Sequence, residues 1–248
     1  IIWTNNLAGF STRIWDLAKR QNIKVVHTLR DYYLQCPKST KYKHQQNCSA
    51  PCGSCKYLTK QKKKGSQYVD YFVGISQYIL DDHKRQGYFN TVDSSVIYNG
   101  FEIKKSVKRG SSKRITLGFL GQVKPVKGIE LLLSVLRDIG LPNWRLNIAG
   151  SISEEYQKEL EGFYSSPRIT YLGHIESDTF FEEIDLLVVP SLWNEPFGRV
   201  IIEAMFYGVP VLAASVGGIP ELLKGNEAFL FEPNKQSLSE KLKNVLID

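Results

Sequence analysis

Two glutamates, eight residues apart, stand where carboxylates could do chemistry. Glu195 comes directly before Pro196, and Glu203 lies within the otherwise apolar stretch 201–205. A carboxylate in so apolar a stretch needs a partner. Each residue alone also has a structural explanation, because Glu195 could complement a helix dipole and Glu203 could form a buried ion pair.

Two glycine-containing turns favour the binding of an anion. Gly121 begins the turn 121–128, and Lys127 lies near its end, where a cation and free backbone N–H groups favour phosphate. Gly217 and Gly218 precede a short helical pattern and could present further N–H groups. The first turn lacks the GxxxxGK[ST] spacing of a Walker loop. Taken alone, the lysine could be a surface charge and the glycine pair a plain turn.

The second half of the chain alternates short apolar runs with helical patterns. We predict strands at 115–120, 144–149, 169–172, 186–190, 209–213 and 229–231, and helices at 128–139, 154–164, 178–183, 196–207, 220–223 and 237–246. This alternation predicts an α/β fold with a parallel sheet covered on both faces. Ligands of such sheets bind beyond the carboxyl ends of the strands, and both turns and Glu195 follow predicted strands there.

The first half is less regular. Its predicted elements are a helix at 11–20, strands at 23–29, 71–75 and 96–98, and a helix at 76–86 that Ser76 caps and Gly87 ends. Residues 36–66 show little apolar periodicity and predict a long loop or insertion. Residues 102–114 are polar and unpatterned, which predicts a linker.

These two turns, with the segment of Glu195 and Glu203 between them, give the second half a family resemblance. It resembles the donor-binding domain of the retaining GT-B glycosyltransferases of family GT4, the glycosyl transferases group 1. The segments that carry the resemblance are 118–128, 147–150, 190–198, 203–211 and 217–221, and Glu195 with Glu203 matches the Glu-x7-Glu motif of that family. The first half resembles the family's acceptor domain through residues 25–37 and 97–100.

The resemblance implies a GT-B fold, in which two Rossmann-like parallel-sheet domains face a cleft. Residues 1–105 would form an incomplete acceptor-side domain with a Lys- and Cys-rich insertion at 36–66. Residues 106–248 would form the nucleotide-sugar donor domain. The missing initiator Met and missing family segments indicate a fragment that lacks the start and the end of the full protein.

The resemblance also implies roles for individual residues. Glu195 would contact the hydroxyls of the transferred sugar near the reacting carbon, Glu203 would hold the ribose, and Lys127 would neutralise the diphosphate. The full donor-binding set is Gly121, Gln122, Lys127, Asn194, Phe197, Gly198, Arg199, Glu203, Gly217 and Gly218. Gln122 stands where many members have Arg. Arg30 stands where many have His, so Arg30 joins Glu195 as the second catalytic candidate, with His27 as its alternative.

The implied reaction is transfer of a sugar from a UDP- or GDP-sugar substrate with retention of configuration. The acceptor would be a glycan or a lipid-linked glycan in surface polysaccharide biosynthesis. No cofactor and no metal is implied, because a lysine and helix dipoles would replace a divalent cation at the leaving group.

The charge of the chain is concentrated in one block. The net charge is +7, and the segment from Tyr32 to Tyr68 has eight lysines and no Asp or Glu. Such a block, Lys38–Lys64, suits an anionic surface, and we expect a cytoplasmic protein at the inner membrane face. It could equally be a solvated loop. No apolar run reaches the ~20 residues of a membrane span.

Four cysteines leave a further alternative open. Cys36, Cys48, Cys52 and Cys55 fall within twenty residues and could hold zinc, although free thiols are the preferred interpretation. One rival function is therefore a basic nucleic-acid-binding module with a cysteine-bound zinc. That rival needs aromatic residues among the lysines, and only Tyr42 and Tyr57 lie there, so no nucleic acid is expected. The other rival is a nucleotide-sugar epimerase of the same fold.

Overall fold

The computed structural model describes residues 1–101 and 114–247, which form two compact units. Unit 1 comprises Ile1–Asn99 and Trp193–Phe197, and unit 2 comprises Gly100–Leu192 and Gly198–Asp248. The predicted domain boundary at 105/106, and all of the predicted linker except its last residue, lie outside the described residues.

Unit 1 is built on a parallel sheet of four strands. Its elements are β1 (Ile2–Asn5), α1 (Arg13–Arg20), β2 (Val25–Leu29), β3 (Tyr42–Lys43), β4 (Gln46–Asn47), α2 (Gly53–Gly65), β5 (Tyr71–Gly74), α3 (Gln77–Arg85) and β6 (Asp93–Val96). The sheet order is β1-β2-β5-β6, and β3 pairs with β4 as a short antiparallel hairpin. Trp15, Phe72 and Phe89 are fully buried and pack the interior of the unit.

Most predicted elements of unit 1 are confirmed. Ser76 caps α3, since its hydroxyl accepts a hydrogen bond from the Ile79 N–H at 3.1 Å, and Gly87 follows the helix with a φ of +77°. The third strand lies at Asp93–Val96, a few residues before the predicted 96–98, and β1 was not predicted.

The prediction of a long loop at 36–66 is wrong, because the segment contains a hairpin and the 13-residue helix α2. The helix lacks a wide apolar stripe, so periodicity does not reveal it. It packs through Gly65, where an added Cβ would lie 3.1 Å from the Thr12 hydroxyl, and through lysine stems. The Lys62 ammonium lies 3.2 Å from the Tyr33 ring centroid and donates to the Tyr33 carbonyl.

Unit 2 is built on a parallel sheet of six strands with helices between them. Its elements are β7 (Ile115–Leu120), α4 (Ile129–Asp138), β8 (Trp144–Ala149), α5 (Glu154–Tyr164), β9 (Ile169–Gly173), α6 (Ser177–Glu182), β10 (Leu186–Val189), α7 (Arg199–Phe206), β11 (Val211–Ala214), α8 (Ile219–Leu222), β12 (Leu230–Phe231) and α9 (Lys235–Ile247). The sheet order is β12-β11-β10-β7-β8-β9. The chain therefore reverses its direction of travel across the sheet between β7 and β10, which is where such sheets bind ligands.

The start of α7 corrects one prediction. The helix begins at Arg199 rather than at Pro196, because Gly198 before it has a φ of +93°, which is outside the helical region. Pro196 therefore lies in a loop, and Glu195 is four residues before the helix. The other strands and helices of this unit lie within about two residues of their predicted bounds, as expected for boundaries.

Candidate functional site

Two glycines permit close backbone approaches at the point where the strand order reverses. A Cβ on Gly150, after β8, would overlap the carbonyl oxygen of Gly121, after β7. A Cβ on Gly128, before α4, would overlap the carbonyl oxygen of Pro190, after β10. Because only glycine fits these approaches, the ends of three neighbouring strands can converge there.

Lys127 directly precedes Gly128, the glycine that lies against the Pro190 carbonyl. It ends a one-turn 3-10 helix, Pro125–Lys127, and its side chain is half-buried. The Leu192 N–H donates to the Val126 carbonyl at 2.9 Å, which attaches this turn to the chain leaving β10. Gly121 is half-buried and Gln122 is exposed, so the backbone rather than the Gln122 side chain shapes the turn.

Glu203 faces the interior from α7. Its residue is 6% exposed, and the Arg199 guanidinium, one helical turn earlier, lies 2.7 Å from its carboxylate. Burial raises the pKa of Glu203, and the Arg199 charge opposes that shift. The Ser177 side chain also hydrogen-bonds to this carboxylate, and with these two partners the carboxylate still retains lone pairs that can accept hydrogen bonds from hydroxyl groups.

The second glycine-containing turn follows β11. Gly217 has a φ of +60°, and Gly218 directly precedes α8. Because α8 has only four residues, any attraction for an anion would come from local N–H groups more than from a helix dipole.

The loop with Glu195 belongs to unit 1. Glu195 is 7% exposed, and its carboxylate accepts a hydrogen bond from the Trp193 indole at 2.8 Å. Next to it, Asn194 is half-buried, and the Phe197 ring stacks on Tyr98 with centroids 5.8 Å apart. Trp193 was not among the predicted site residues. No local sequence pattern separates a tryptophan that hydrogen-bonds to a nearby carboxylate from one that only packs.

Arg30 lies at the carboxyl end of β2. Its guanidinium donates to the Asn5 side chain at 3.3 Å and to the Asn99 side chain at 3.5 Å, and it is exposed. His27 is inside the same strand, 2% exposed, with its ring 4.9 Å from Trp15. Burial lowers the pKa of His27 to about 3. The structure therefore favours Arg30 over His27 as the residue available to a ligand.

All four cysteines are free thiols. A hydrogen bond from Ser54 lowers the pKa of Cys52 to about 7, while burial and neighbouring thiols raise the pKa of Cys55 to about 12. In the described ranges, no group of three or more His, Cys, Asp or Glu side chains is arranged to hold a metal ion.

The predicted site residues thus fall into two sets. Eight of them follow β7, β10 and β11, which are neighbouring strands of unit 2: Gly121, Gln122, Lys127, Gly198, Arg199, Glu203, Gly217 and Gly218. Unit 1 holds the other four: Arg30, Asn194, Glu195 and Phe197.

The strand order of unit 2 is Rossmann-like, and the turns that follow its strands can present N–H groups to an anion. Together with a buried carboxylate nearby, these features are typical of α/β proteins that bind nucleotides. Residues 101–248 match the family model described as Glycosyl transferases group 1. The chain therefore belongs to the glycosyl transferases group 1 family.

Relatives and solved structures agree with this family. The chain is 34% identical over 222 residues to an uncharacterized 42.6 kDa protein in the cps region of Klebsiella pneumoniae, covering 90% of this chain and 59% of that protein. It is similar to sucrose-phosphate synthase from Thermosynechococcus elongatus, with a TM-score of 0.79 and 21% identity over all of this chain and 64% of that one.

A second similar structure is Anabaena HepE in complex with UDP, with a TM-score of 0.77 and 21% identity over 99% of this chain and 69% of that one. The likeness to these structures shows the GT-B fold, so the predicted fold class, α/β with two Rossmann-like parallel sheets, is confirmed.

The chain spans about three fifths of the length of the Klebsiella relative. Family membership also sets aside the basic nucleic-acid-binding module.

Proposed function

We propose that this chain transfers a sugar from a UDP- or GDP-sugar to a glycan or lipid-linked acceptor, with retention of configuration. The observation that carries the proposal is the grouping of Lys127, Glu203 and the Gly217 turn at the ends of three neighbouring strands. A diphosphate, a ribose and a sugar need a cation, a carboxylate and backbone N–H groups in that kind of arrangement.

In this proposal Lys127 neutralises the charge that develops on the leaving diphosphate, assisted by the N–H groups near Gly198 and Gly217. Glu203 accepts hydrogen bonds from the ribose hydroxyls. Glu195 contacts the hydroxyls of the transferred sugar near the reacting carbon, and Arg30 contributes charge on the acceptor side. The complex of HepE with UDP supports the choice of a uridine nucleotide as the first donor to test.

A role in surface polysaccharide biosynthesis is supported by the Klebsiella relative, which is named for its place in a cps region. The acceptor is then a growing glycan or a lipid-linked intermediate. The proposal includes a cytosolic reaction, because nucleotide sugars are made in that compartment.

The first experiment is calorimetric titration of the chain with UDP, GDP and ADP. We expect saturable binding of UDP or GDP, and roughly 10- to 100-fold weaker binding in Lys127→Ala, because a charge-assisted hydrogen bond contributes about 1.5–3 kcal/mol. Lys158→Ala, which removes an exposed lysine on α5, is the matched control and should bind as the parent does. Absence of binding to all three nucleotides, repeated with the full-length protein, would contradict the proposal.

We also propose that α2 directs unit 1 to an anionic membrane surface. Lys56, Lys60 and Lys64 are exposed on this helix, and Tyr57 is 83% exposed among them, whereas Lys62 is engaged with Tyr33. Each lysine near an anionic surface contributes about 1 kcal/mol. Within the part of the chain that the structure describes, no helix is long and apolar enough to cross a bilayer.

Flotation with vesicles of phosphatidylcholine, with and without phosphatidylserine, tests this surface. The double variant Lys60→Glu/Lys64→Glu should lose flotation with anionic vesicles at low salt, whereas Lys158→Glu on α5 should keep it. Equal flotation of the two variants, or no flotation of the parent chain, would remove the membrane proposal.

A further inference from the structure

The loop Trp193–Phe197 is held through its backbone by side chains that are far away in sequence. The Tyr32 hydroxyl donates to the Asn194 carbonyl at 2.7 Å, and the Asn194 N–H donates to the Asn47 side-chain oxygen at 2.7 Å. The Ser76 hydroxyl donates to the Pro196 carbonyl at 2.5 Å. All of these residues belong to unit 1, and the three bonds flank Glu195 on both sides.

Tyr32 is itself rigidly placed. Its side chain is buried, and its ring stacks on His83 with a 5° angle between the planes. The Lys41 ammonium lies 5.3 Å from the Tyr32 ring centroid and forms a buried ion pair with Asp82 at 2.7 Å. Removing either partner of such a pair is costly, so this network resists displacement and fixes the position of the Tyr32 hydroxyl.

The same tyrosine also contacts the residue that bonds Glu195. The Tyr32 and Trp193 rings meet edge to face, with centroids 6.1 Å apart, and the Trp193 indole donates to the Glu195 carboxylate. Tyr32 therefore restrains the loop both through its backbone and through the partner of the carboxylate. A group that acts on a reacting centre must be held to about half an ångström, so restraints of this kind affect turnover more than stability.

We infer that Tyr32 is a positioning residue for Glu195, and that Asn47 and Ser76 help it to hold the loop Trp193–Phe197 in place. The inference rests on the proposed function, in which Glu195 contacts the transferred sugar. It also gives part of the insertion at 36–66 a role, because Asn47 belongs to the β3–β4 hairpin of that insertion. The hairpin then supports the proposed reaction, separately from any membrane contact of α2.

The variant Tyr32→Phe removes only the hydroxyl, and Tyr88→Phe is its matched control. Tyr88 is as buried as Tyr32, lies in the same unit and donates to the Leu34 carbonyl at 2.8 Å, away from the loop. Both variants should lose similar stability in thermal unfolding. The first readout is the indole N–H signal of Trp193 in a nitrogen-15 correlation spectrum, where it is one of four tryptophan signals and is assigned by its loss in Trp193→Phe. We expect Tyr32→Phe to shift it and Tyr88→Phe to leave it in place.

The second readout is turnover of UDP-glucose by the full-length protein, measured as UDP release. Tyr32→Phe should lower kcat about tenfold or more, because small misplacements of a catalytic group are costly, with KM for the donor within about twofold. Tyr88→Phe should change neither constant. Asn47→Ala should lower kcat in the same sense, and Asn47→Asp, which keeps an acceptor oxygen for the Asn194 N–H, should recover most of it.

The outcomes separate the inference from the proposed function. An unmoved Trp193 signal in Tyr32→Phe overturns the inference without any reference to activity. Equal kcat values for Tyr32→Phe and Tyr88→Phe, with Glu195→Gln inactive, overturn the inference and leave the proposed function standing. Parental turnover in Glu195→Gln overturns the assigned role of Glu195 and the inference with it.

Discussion

Glu195 and Glu203 lie eight residues apart, yet the structure holds the two carboxylates in opposite ways. The backbone of Glu203 is set by α7, which places it one turn from its partner Arg199, and the Ser177 side chain also hydrogen-bonds to its carboxylate. Glu195 lies in a loop that side chains from distant parts of unit 1 restrain. One motif can therefore combine a residue whose backbone is set by helix register with a residue whose backbone is set by hydrogen bonds from distant side chains.

The two environments also differ in electrostatics. Burial raises the pKa of Glu203, and its ion pair with the largely exposed Arg199 opposes that shift. Glu195 instead receives a hydrogen bond from a neutral indole. We therefore expect the protonation of Glu203 to respond to nearby charge.

The largest expected effect comes from Glu195→Gln. If this carboxylate acts on the transferred sugar, kcat should fall by roughly 10²–10³-fold, as it does when a preorganised catalytic group is removed. The Kd for UDP should stay within about twofold, because Glu195 does not hold the nucleotide. UDP release and calorimetry measure the two quantities, with Glu240→Gln on α9 as the exposed control. Weakened UDP binding with unchanged kcat would reverse the roles of the two glutamates.

Glu203→Gln should show the complementary pattern. Loss of a charged acceptor for ribose hydroxyls should weaken UDP binding about tenfold or more. The free energy of unfolding should change little, because the amide removes a buried charge as well as its ion pair. Calorimetry and urea titration give the two values. An unchanged Kd for UDP would show that this carboxylate is structural only.

Gly198→Ala tests the residue that connects the loop Trp193–Phe197 to the start of α7. Gly198 has a φ of +93°, and an added Cβ would lie 3.1 Å from the Ile201 side chain, so we expect the free energy of unfolding to fall by about 1–2 kcal/mol. Gly162→Ala, in open space inside α5, should instead add about 0.5–1 kcal/mol. Urea unfolding compares them. Similar stabilities for the two variants would mean that position 198 tolerates a side chain.

The smallest expected effect comes from Arg199→Met. Because this ion pair is exposed on one side, the Kd for UDP at pH 8 should change less than about fivefold. Arg199 lowers the pKa of Glu203, so its removal should raise that pKa further. The carboxylate would then protonate at a higher pH, and UDP affinity should begin to fall at a higher pH on acidification than in the parent. Superimposable pH profiles from calorimetry would contradict the proposed link.

The regular elements of unit 2 were predictable because their signals are local. Each buried strand is a short apolar run between turns, and α4 and α5 have the period of a helix. The start of α7 was misplaced because a proline in the sequence also fits a loop, and only the φ of Gly198 separates the two cases. Helix α2 was missed because lysine stems and a glycine, rather than an apolar stripe, pack it.

The sequence alone determined the family, the alternation of strands and helices, the turns that carry Lys127 and Gly217, and the helix that carries Glu203. All of these depend on residues close together in the chain. Only the tertiary structure decided which strands are neighbours and which side chains hold the Glu195 loop. Tyr32 and Asn194 are 162 residues apart, and no local pattern encodes a hydrogen bond across that separation. Such a contact exists only because the whole sheet of unit 1 brings both groups to one place.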